Sequence, residues 1–343
     1  MPLVNYLDIS LNQTKTYNTK MNVFPLIATG VASTSLDGEI LAIRYTKIVS
    51  KSENADEYKS LESMYQQMEK EDSEFIKLSK KDEQIVKDRE RFIVHKINQD
   101  SPIENAEDAY LKLHLLSLRL VKPNTLNLEG IFNALPNVVW TNQGPIHPDD
   151  VEELRTKYDS FYVRSLDKFP CLTDYVIPNG VRIADASRVR LGAYLSEGTT
   201  IMHEGFVNFN AGTLGPAMIE GRISAGVVIG ANSDLGGGCS TMGTLSGGND
   251  VKISIGEDCL LGANSGLGIP LGDRCIVEAG LYLTAGSKVE VLNEENKLVK
   301  TVKASELSSK DDQLFIRNSL TGAIQCKPNR KKVSLNDQLH TND

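Results

Sequence analysis

No run of about 18 apolar residues occurs anywhere in the chain, the length a membrane-spanning helix needs. The segment Met1-Pro2-Leu3-Val4-Asn5-Tyr6-Leu7-Asp8 has neither a basic stretch nor a long apolar one. No signal peptide is expected, and the cell interior is the expected location. Positive charge is not in excess either. The formal net charge of −8 argues against a sequence-independent nucleic-acid binder, which neutralises many phosphates with Lys and Arg. The five cysteines, Cys171, Cys239, Cys259, Cys275 and Cys326, contain no Cys-x-x-Cys pair, so a zinc ribbon is excluded and reduced thiols are expected. Residues 1–60 lack a Gly-rich phosphate-binding segment, which excludes a nucleotidyltransferase module there.

What remains is ample material for a core: 343 residues, 40% apolar and 24% charged, enough for two or three folding units. Residues 1–105 read as an α/β domain. Val23–Ala28 and Glu39–Tyr45 have strand character around a Gly- and Ser-containing turn. Tyr58, Leu61, Tyr65 and Met68 recur at helical spacing, and a second helical piece is expected over Asp82–His95. The mixed charges of this region read as the solvated face of a helical domain. Residues 106–175 read as a helical connecting segment. It holds a Leu-rich helix from Ala106 that stops before Pro123, another starting at Pro148-Asp149-Asp150, and Trp140 between them as a packed aromatic.

From about Tyr175 the texture changes. An aliphatic residue stands at every sixth position: Ile177, Ile183, Val189, Leu195, Ile201 and Val207, with Thr213 and Ile219 in phase. The register slips by four to Ile223, Ile229 and Leu235, and a Gly-rich insertion covers Gly243–Asp250. The period resumes at Ile255, Leu261 and Leu267, slips by four to Leu271, then runs through Val277, Leu283 and Val289. This is a hexapeptide repeat, the signature of a parallel β-helix over residues 176–290. Each hexad forms one flat side of a coil, its aliphatic residue points inward, and the turns take Gly, Ala, Asn and Asp. No coil buries its apolar face alone, so coils must stack. Residues 291–343 read as a short β-rich extension with a polar tail: a hairpin from Val289 to Thr301, then strands over Asp312–Arg317 and Ala323–Cys326.

A scaffold does not define a function. The informative blocks are those that interrupt the repeat: Met202–Thr213, Met218–Gly226, Leu235–Ser240 with Gly243–Gly248, and Leu260–Gly268. Asn208-Phe209-Asn210-Ala211-Gly212-Thr213-Leu214-Gly215, Glu220-Gly221-Arg222 and Gly262-Ala263-Asn264-Ser265-Gly266 closely resemble the longer-chain class of tetrahydrodipicolinate N-succinyltransferases. The likeness covers Gly198–Gly286 and extends weakly to Trp140-Thr141-Asn142 and to Leu314–Ser319. It implies a left-handed coil, homotrimers with active sites between neighbouring β-helices, and transfer of succinyl from succinyl-CoA to the amine of ring-opened tetrahydrodipicolinate, on the route to lysine and diaminopimelate.

Transfer from a thioester to an amine needs a deprotonated amine, donors for the oxyanion, and a means of orienting two anionic substrates. Glu220 is the candidate catalytic carboxylate, either as general base or, as the resemblance implies, as a nucleophile forming an acyl anhydride. Arg222, two residues on, is expected on the same side of a strand, where it holds acyl-CoA or pairs with Glu220. The resemblance places Gly237, Ser240, Ala263, Glu278, Ala279, Gly286, Lys303, Ile316, Arg317, Asn318 and Ser319 along the cofactor, with Ile316 where an Arg is expected. It also implies Glu204 as a Mg²⁺ ligand near the trimer axis, although Ser187 stands where a second acid would fit. His203, the sole histidine of the repeat, is expected to be packed or hydrogen-bonded, and one histidine cannot build a zinc-hydratase site. Two other readings stay open: a transferase of this fold with another donor or acceptor, such as acetyl-CoA, and a non-catalytic β-helical scaffold.

Overall fold

The computed structural model describes residues 23–70, 89–244, 251–330 and 335. The segment Met1–Asp8 and most of the Gly243–Asp250 insertion lie outside them. Contacts divide the chain into two units, 1–114 with 125–170, and 115–124 with 171–343.

In the first unit, β1 (Leu26–Thr34) pairs antiparallel with β2 (Ile40–Ser50) on one side. The apolar side of α1 (Ala55–Lys70) seals this sheet, Tyr58, Leu61 and Met68 packing on Ile27, Val49 and Val94. The described part of the expected second helix, residues 89–95, runs instead into a strand, β3 (Glu90–Ile97), antiparallel to β1 from Leu26↔Ile97 to Ser33↔Glu90. Its Phe92-Ile93-Val94 run suits a pleated, half-buried surface, and pairing with β1 overrides the charged flanks that suggested a helix. Residues 82–88 lie outside the described set.

Helix α2 (Ala106–Ser117) is buried on every side, with Ala109, Tyr110, Leu111, Lys112, Leu113 and His114 all fully enclosed. A short α3 (Ile131–Ala134) precedes a second sheet of β4 (Val138–Thr141), β5 (Gly144–Ile146) and, after α4 (Val151–Lys157), β6 (Val163–Asp167), with β4 central. Trp140 is the packed aromatic expected, and its indole N–H donates to the Asp167 carbonyl at 2.9 Å.

His114 sits in this core with its Nδ1 2.7 Å from the Tyr110 carbonyl and its ring edge-on to Tyr45. Burial depresses its pKa to about 4, and Arg44 adds to the effect. An unfolded histidine titrates near 6.5, so the unfolded chain takes up this proton first as pH falls. The neutral ring therefore contributes stability that is complete above about pH 6.5 and is lost down to about pH 4, on the order of 3 kcal/mol. Urea midpoints measured across that window should fall more steeply for the wild type than for His114→Gln. Superimposable slopes between pH 6.5 and 5 would refute this role.

The second unit is a parallel β-helix. Three sheets form its sides, and consecutive strands of one sheet come from consecutive coils. Along the long sheet the inward residues Ile183, Ile201, Ile219, Leu235, Leu261, Val277 and Phe315 stack in register. Along the second sheet they are Val189, Val207, Ile223, Thr241, Leu267 and Leu283, and along the third Leu195, Thr213, Ile229 and Ile255. Nearly all are fully buried. The two inward threonines keep their hydroxyls paired, Thr213 with Thr199 at 2.7 Å and Thr241 with the Arg222 carbonyl at 2.9 Å. Ile177, in phase by sequence, is 74% exposed, because it precedes Arg182–Ile183, the terminal strand of the long sheet, and no coil covers it. After Val289 the expected hairpin and two strands form, Lys288–Leu292 with Leu298–Lys303, then Gln313–Arg317 and Ile324–Pro328. No helix among the described residues is long and apolar enough to cross a membrane.

Candidate active site

Strands of the long sheet and of the second sheet meet at one edge of the coil, and the turns there stack as 202–205, 220–221, 236–239, 262–265 and 278–281. Glu204, Glu220, Gly237, Ala263, Glu278 and Ala279 all fall on this edge. Because Phe315 pairs with Val277, residues 316–319 leave the next level at the same place. The Arg317 N–H donates to Glu278 Oε2 at 2.7 Å, which joins the two levels.

The corner at Glu220 is built differently from its neighbours. Six residues carry the chain from inward Ile201 to inward Val207, but four carry it from Ile219 to Ile223, although both pairs are in register. The slip in the repeat is thus a shortened corner, notched between the longer turns above and below. Glu220 is half-buried in that notch, its N–H donating to the Leu235 carbonyl at 2.8 Å and its carbonyl accepting from the Gly238 N–H at 3.2 Å. A Cβ placed on Gly237 would lie 3.5 Å from Glu204 Oε2 and 4.0 Å from Glu220 Oε2, so both carboxylates face bare backbone. Gly221 is required for packing: a Cβ there would run into the Cys239 thiol and sit 2.6 Å from the Cys239 carbonyl oxygen. Burial, with Asp234 and Glu220 nearby, pushes the Cys239 thiol up to about 12, so it is no nucleophile. All five cysteines are free thiols.

Arg222 does not follow Glu220 along a strand as expected, since Glu220 lies in the corner and the strand begins at Arg222. Its guanidinium donates to the Ser240 hydroxyl from Nε at 3.2 Å and Nη2 at 2.5 Å, and it forms no ion pair with Glu220. The register lines Phe206, Arg222, Ser240, Gly266 and Tyr282 along the outside of the second sheet. The Tyr282 ring lies over Gly266, where any side chain would collide with it.

Gly286 and Lys303 stand beyond the far end of this row. Gly286 is exposed with open space around it, and Lys303 is exposed opposite Lys288. Ile316 is half-buried across from Gln325, Asn318 accepts from the Leu320 and Thr321 amides, and Ser319 is exposed. His203 is exposed rather than packed, since it occupies the outer tip of the corner beside Glu204. The Ser187 hydroxyl donates to Asp185 at 2.7 Å. Among the described residues no three His, Cys, Asp or Glu side chains converge on a metal-sized space, so one chain alone does not fit a resident Mg²⁺.

Sequence reasoning missed a cluster next to this site. The guanidinium groups of Arg188 and Arg190 lie 6.0 and 5.8 Å from the centre of the Phe206 ring. The signal was present as a spacing of one coil, Arg188 to Phe206, but only stacking makes it a contact.

A stacked-coil edge carrying a carboxylate, an arginine–serine pair and close-approach glycines is chemically suited to acyl transfer, and likeness to known proteins gives the class, a transferase of the hexapeptide-repeat kind. Family models match in chain order: tetrahydrodipicolinate N-succinyltransferase N-terminal over 35–133, the middle region of the same enzyme over 135–170, and the hexapeptide repeat of succinyl-transferase over 252–285. The 2,3,4,5-tetrahydropyridine-2,6-dicarboxylate N-succinyltransferase of Pseudomonas putida is 61% identical over 249 residues, 71% of this chain and 72% of that one, and the Vibrio cholerae enzyme is 57% identical over 250, 72% and 73%. The chain belongs to the tetrahydrodipicolinate N-succinyltransferase family. A crystal structure from Campylobacter jejuni, assigned as a 2,3,4,5-tetrahydropyridine-2-carboxylate N-succinyltransferase, superposes with a TM-score of 0.78 at 30% identity over 92% of this chain and 94% of that one.

Proposed function

We propose that the protein transfers the succinyl group of succinyl-CoA to the amine of ring-opened 2,3,4,5-tetrahydropyridine-2,6-dicarboxylate, a step toward lysine and diaminopimelate. The observation that carries this reading is the shortened corner holding Glu220, within a chain about 60% identical to enzymes named for that reaction. Glu220 acts on the reacting centre. As a nucleophile it attacks the thioester carbon, expels the CoA thiolate, and is released when the amine attacks the anhydride. As a base it takes the proton the amine loses. Arg222 and Ser240 hold the acyl end. Gly237, Ala263, Glu278, Ala279 and Ile316–Ser319 line an extended cofactor along the stacked corners, with Gly286 and Lys303 at its far side. The exposed Arg317 and Lys303 suit phosphate groups.

The finer points rest on the same family grounds. The coil is left-handed, the N-terminal region is an α/β domain, and the protein works in the cytoplasm as a homotrimer with an active site between neighbouring β-helices. Mg²⁺ belongs to that assembly only if three Glu204 carboxylates meet on its axis, and no step of the transfer runs through it.

The test follows CoA release with a thiol reagent, using purified protein, succinyl-CoA or acetyl-CoA, and the dicarboxylate. Acceptor-dependent release with succinyl-CoA well above that with acetyl-CoA is expected. Folded protein that turns over neither donor would overturn the reading, and equal rates would reassign the donor.

A further inference from the structure

Two adjacent glycines, Gly237 and Gly238, leave a bare stretch of main chain in the corner that follows the Glu220 notch. Three polar side chains end over it. Glu204 and Glu220 reach it from the preceding coils, where a Cβ on Gly237 would lie 3.5 Å and 4.0 Å from their Oε2 atoms. Asn264 reaches it from the following coil, since a Cβ on Gly238 would lie 2.5 Å from Asn264 Oδ1 and 4.0 Å from Glu204 Oε2. The main chains are tied at the same point, the Asn264 N–H donating to the Gly237 carbonyl at 2.9 Å. Asn264 is exposed, so a bound molecule can touch it.

The turn itself does not require asparagine. Register puts Gly238, Asn264 and Gly280 at the same position of three stacked corners, after the inward residues Leu235, Leu261 and Val277. All three are left-handed, with φ of 69°, 56° and 70°. Glycine meets that demand in the corners on either side, so the backbone would accept it at position 264 as well. What asparagine adds is a carboxamide folded back over Gly238, across from Glu220.

The reaction needs a donor at that place. When the thioester carbon is attacked, by Glu220 or by the amine, the carbonyl π pair moves onto its oxygen. The pair returns as the C–S bond breaks, and the sulfur leaves with the bonding pair. The proton lost by the amine ends on that sulfur, passed there by Glu220 where it acts as base. The transient oxyanion has the same sign as Glu204 and Glu220, which end beside it. Arg222 is bonded to Ser240 and holds the acyl end. A carboxamide offers N–H donors without a positive charge that would neutralise Glu220.

We propose that Asn264 is a further catalytic residue of the transfer, its side-chain N–H donating to the thioester oxygen as that oxygen becomes an anion over Gly237 and Gly238. This rests on the reading of the site as an acyl-CoA transferase.

The experiment compares the full-length wild type with Asn264→Gly and Asn264→Asp. Glycine keeps the left-handed turn and removes the side chain, and aspartate keeps the shape with a group that only accepts. Both should lower kcat about a hundredfold or more, the effect of losing one oxyanion donor, with KM for succinyl-CoA changed by less than about threefold. A role in the turn alone predicts Asn264→Gly at the wild-type rate, and that result overturns the proposal. So does a loss carried by KM for succinyl-CoA with kcat intact, which would make Asn264 a cofactor contact.

A second measurement does not depend on the acceptor. Succinyl-CoA isotope-labelled at the thioester carbonyl is bound to Glu220→Gln, which leaves the thioester whole, and to the double variant Glu220→Gln with Asn264→Gly. The donor should hold the infrared carbonyl band at lower frequency, and its removal should raise the band. Identical bands overturn the proposal. A wild type that fails to turn over the dicarboxylate, with the Asn264-dependent band shift present, counts against the acceptor and upholds Asn264. Failure to bind succinyl-CoA at all overturns both.

Discussion

Replacing Glu220 by Gln lowers succinyl transfer by about three orders of magnitude while succinyl-CoA still binds. The substitution keeps the shape of the side chain and removes only its charge and its basic, nucleophilic oxygen. The corner itself is held by main-chain bonds, the Glu220 amide to Leu235 and the Gly238 amide to the Glu220 carbonyl, which Gln preserves. The loss is therefore chemical and not structural. The nearby thiol of Cys239 does not substitute, because it is buried and held far from its ionised form. Rapid mixing without acceptor separates the two roles of the carboxylate. One equivalent of CoA released in a burst marks an anhydride, and no burst marks a base. A Gln variant that keeps more than a tenth of the wild-type rate would remove Glu220 from the reaction altogether.

The β-helix was legible because its physics is periodic. One inward position in six must be apolar, and each such residue reports its coil without reference to the others. Even the notch was written in the sequence as the slip from Ile219 to Ile223, yet a slip reads only as a defect until register shows that the same edge is turned with two residues fewer. Ile177 obeyed the period but lies outside the stack, since periodicity carries no mark of where coils end. Strand β3 was misread because pairing with β1 outweighed local composition. Arg188, Arg190 and Phe206 belong to neighbouring coils, and nothing local announces that three such residues meet. Lys112 was invisible for another reason: lysine on a helix is ordinarily solvated, so a buried one has no sequence signature.

That lysine carries the second large effect. Lys112 is fully enclosed in α2, and its ammonium donates to Asp100 Oδ1 at 2.7 Å, to the Ser101 carbonyl at 2.5 Å and to the Asn127 carbonyl at 2.7 Å. Three donors meet three acceptors, so the charge is completely used. Asp100 also accepts the Asn127 N–H at 2.8 Å, which ties the stretch after β3 to the stretch beyond α2 across the same ammonium. Lys112→Met fits the volume and leaves the two carbonyls and one oxygen of Asp100 without their donor. Removing one partner of a buried pair typically costs about 3–5 kcal/mol; Asp100 keeps 28% of its side chain in solvent, which puts the expected loss near 3 kcal/mol. Urea unfolding checks the size, and a cycle with Asp100→Asn separates the ion pair from the carbonyl bonds, because the double variant should lose less than the two single losses added together. The folded Lys112→Met protein should keep the wild-type kcat, since Lys112 belongs to the first unit and the site is built in the second. A loss below about 1 kcal/mol would mean that water replaces the ammonium without cost, and that α2 is held by its apolar faces alone.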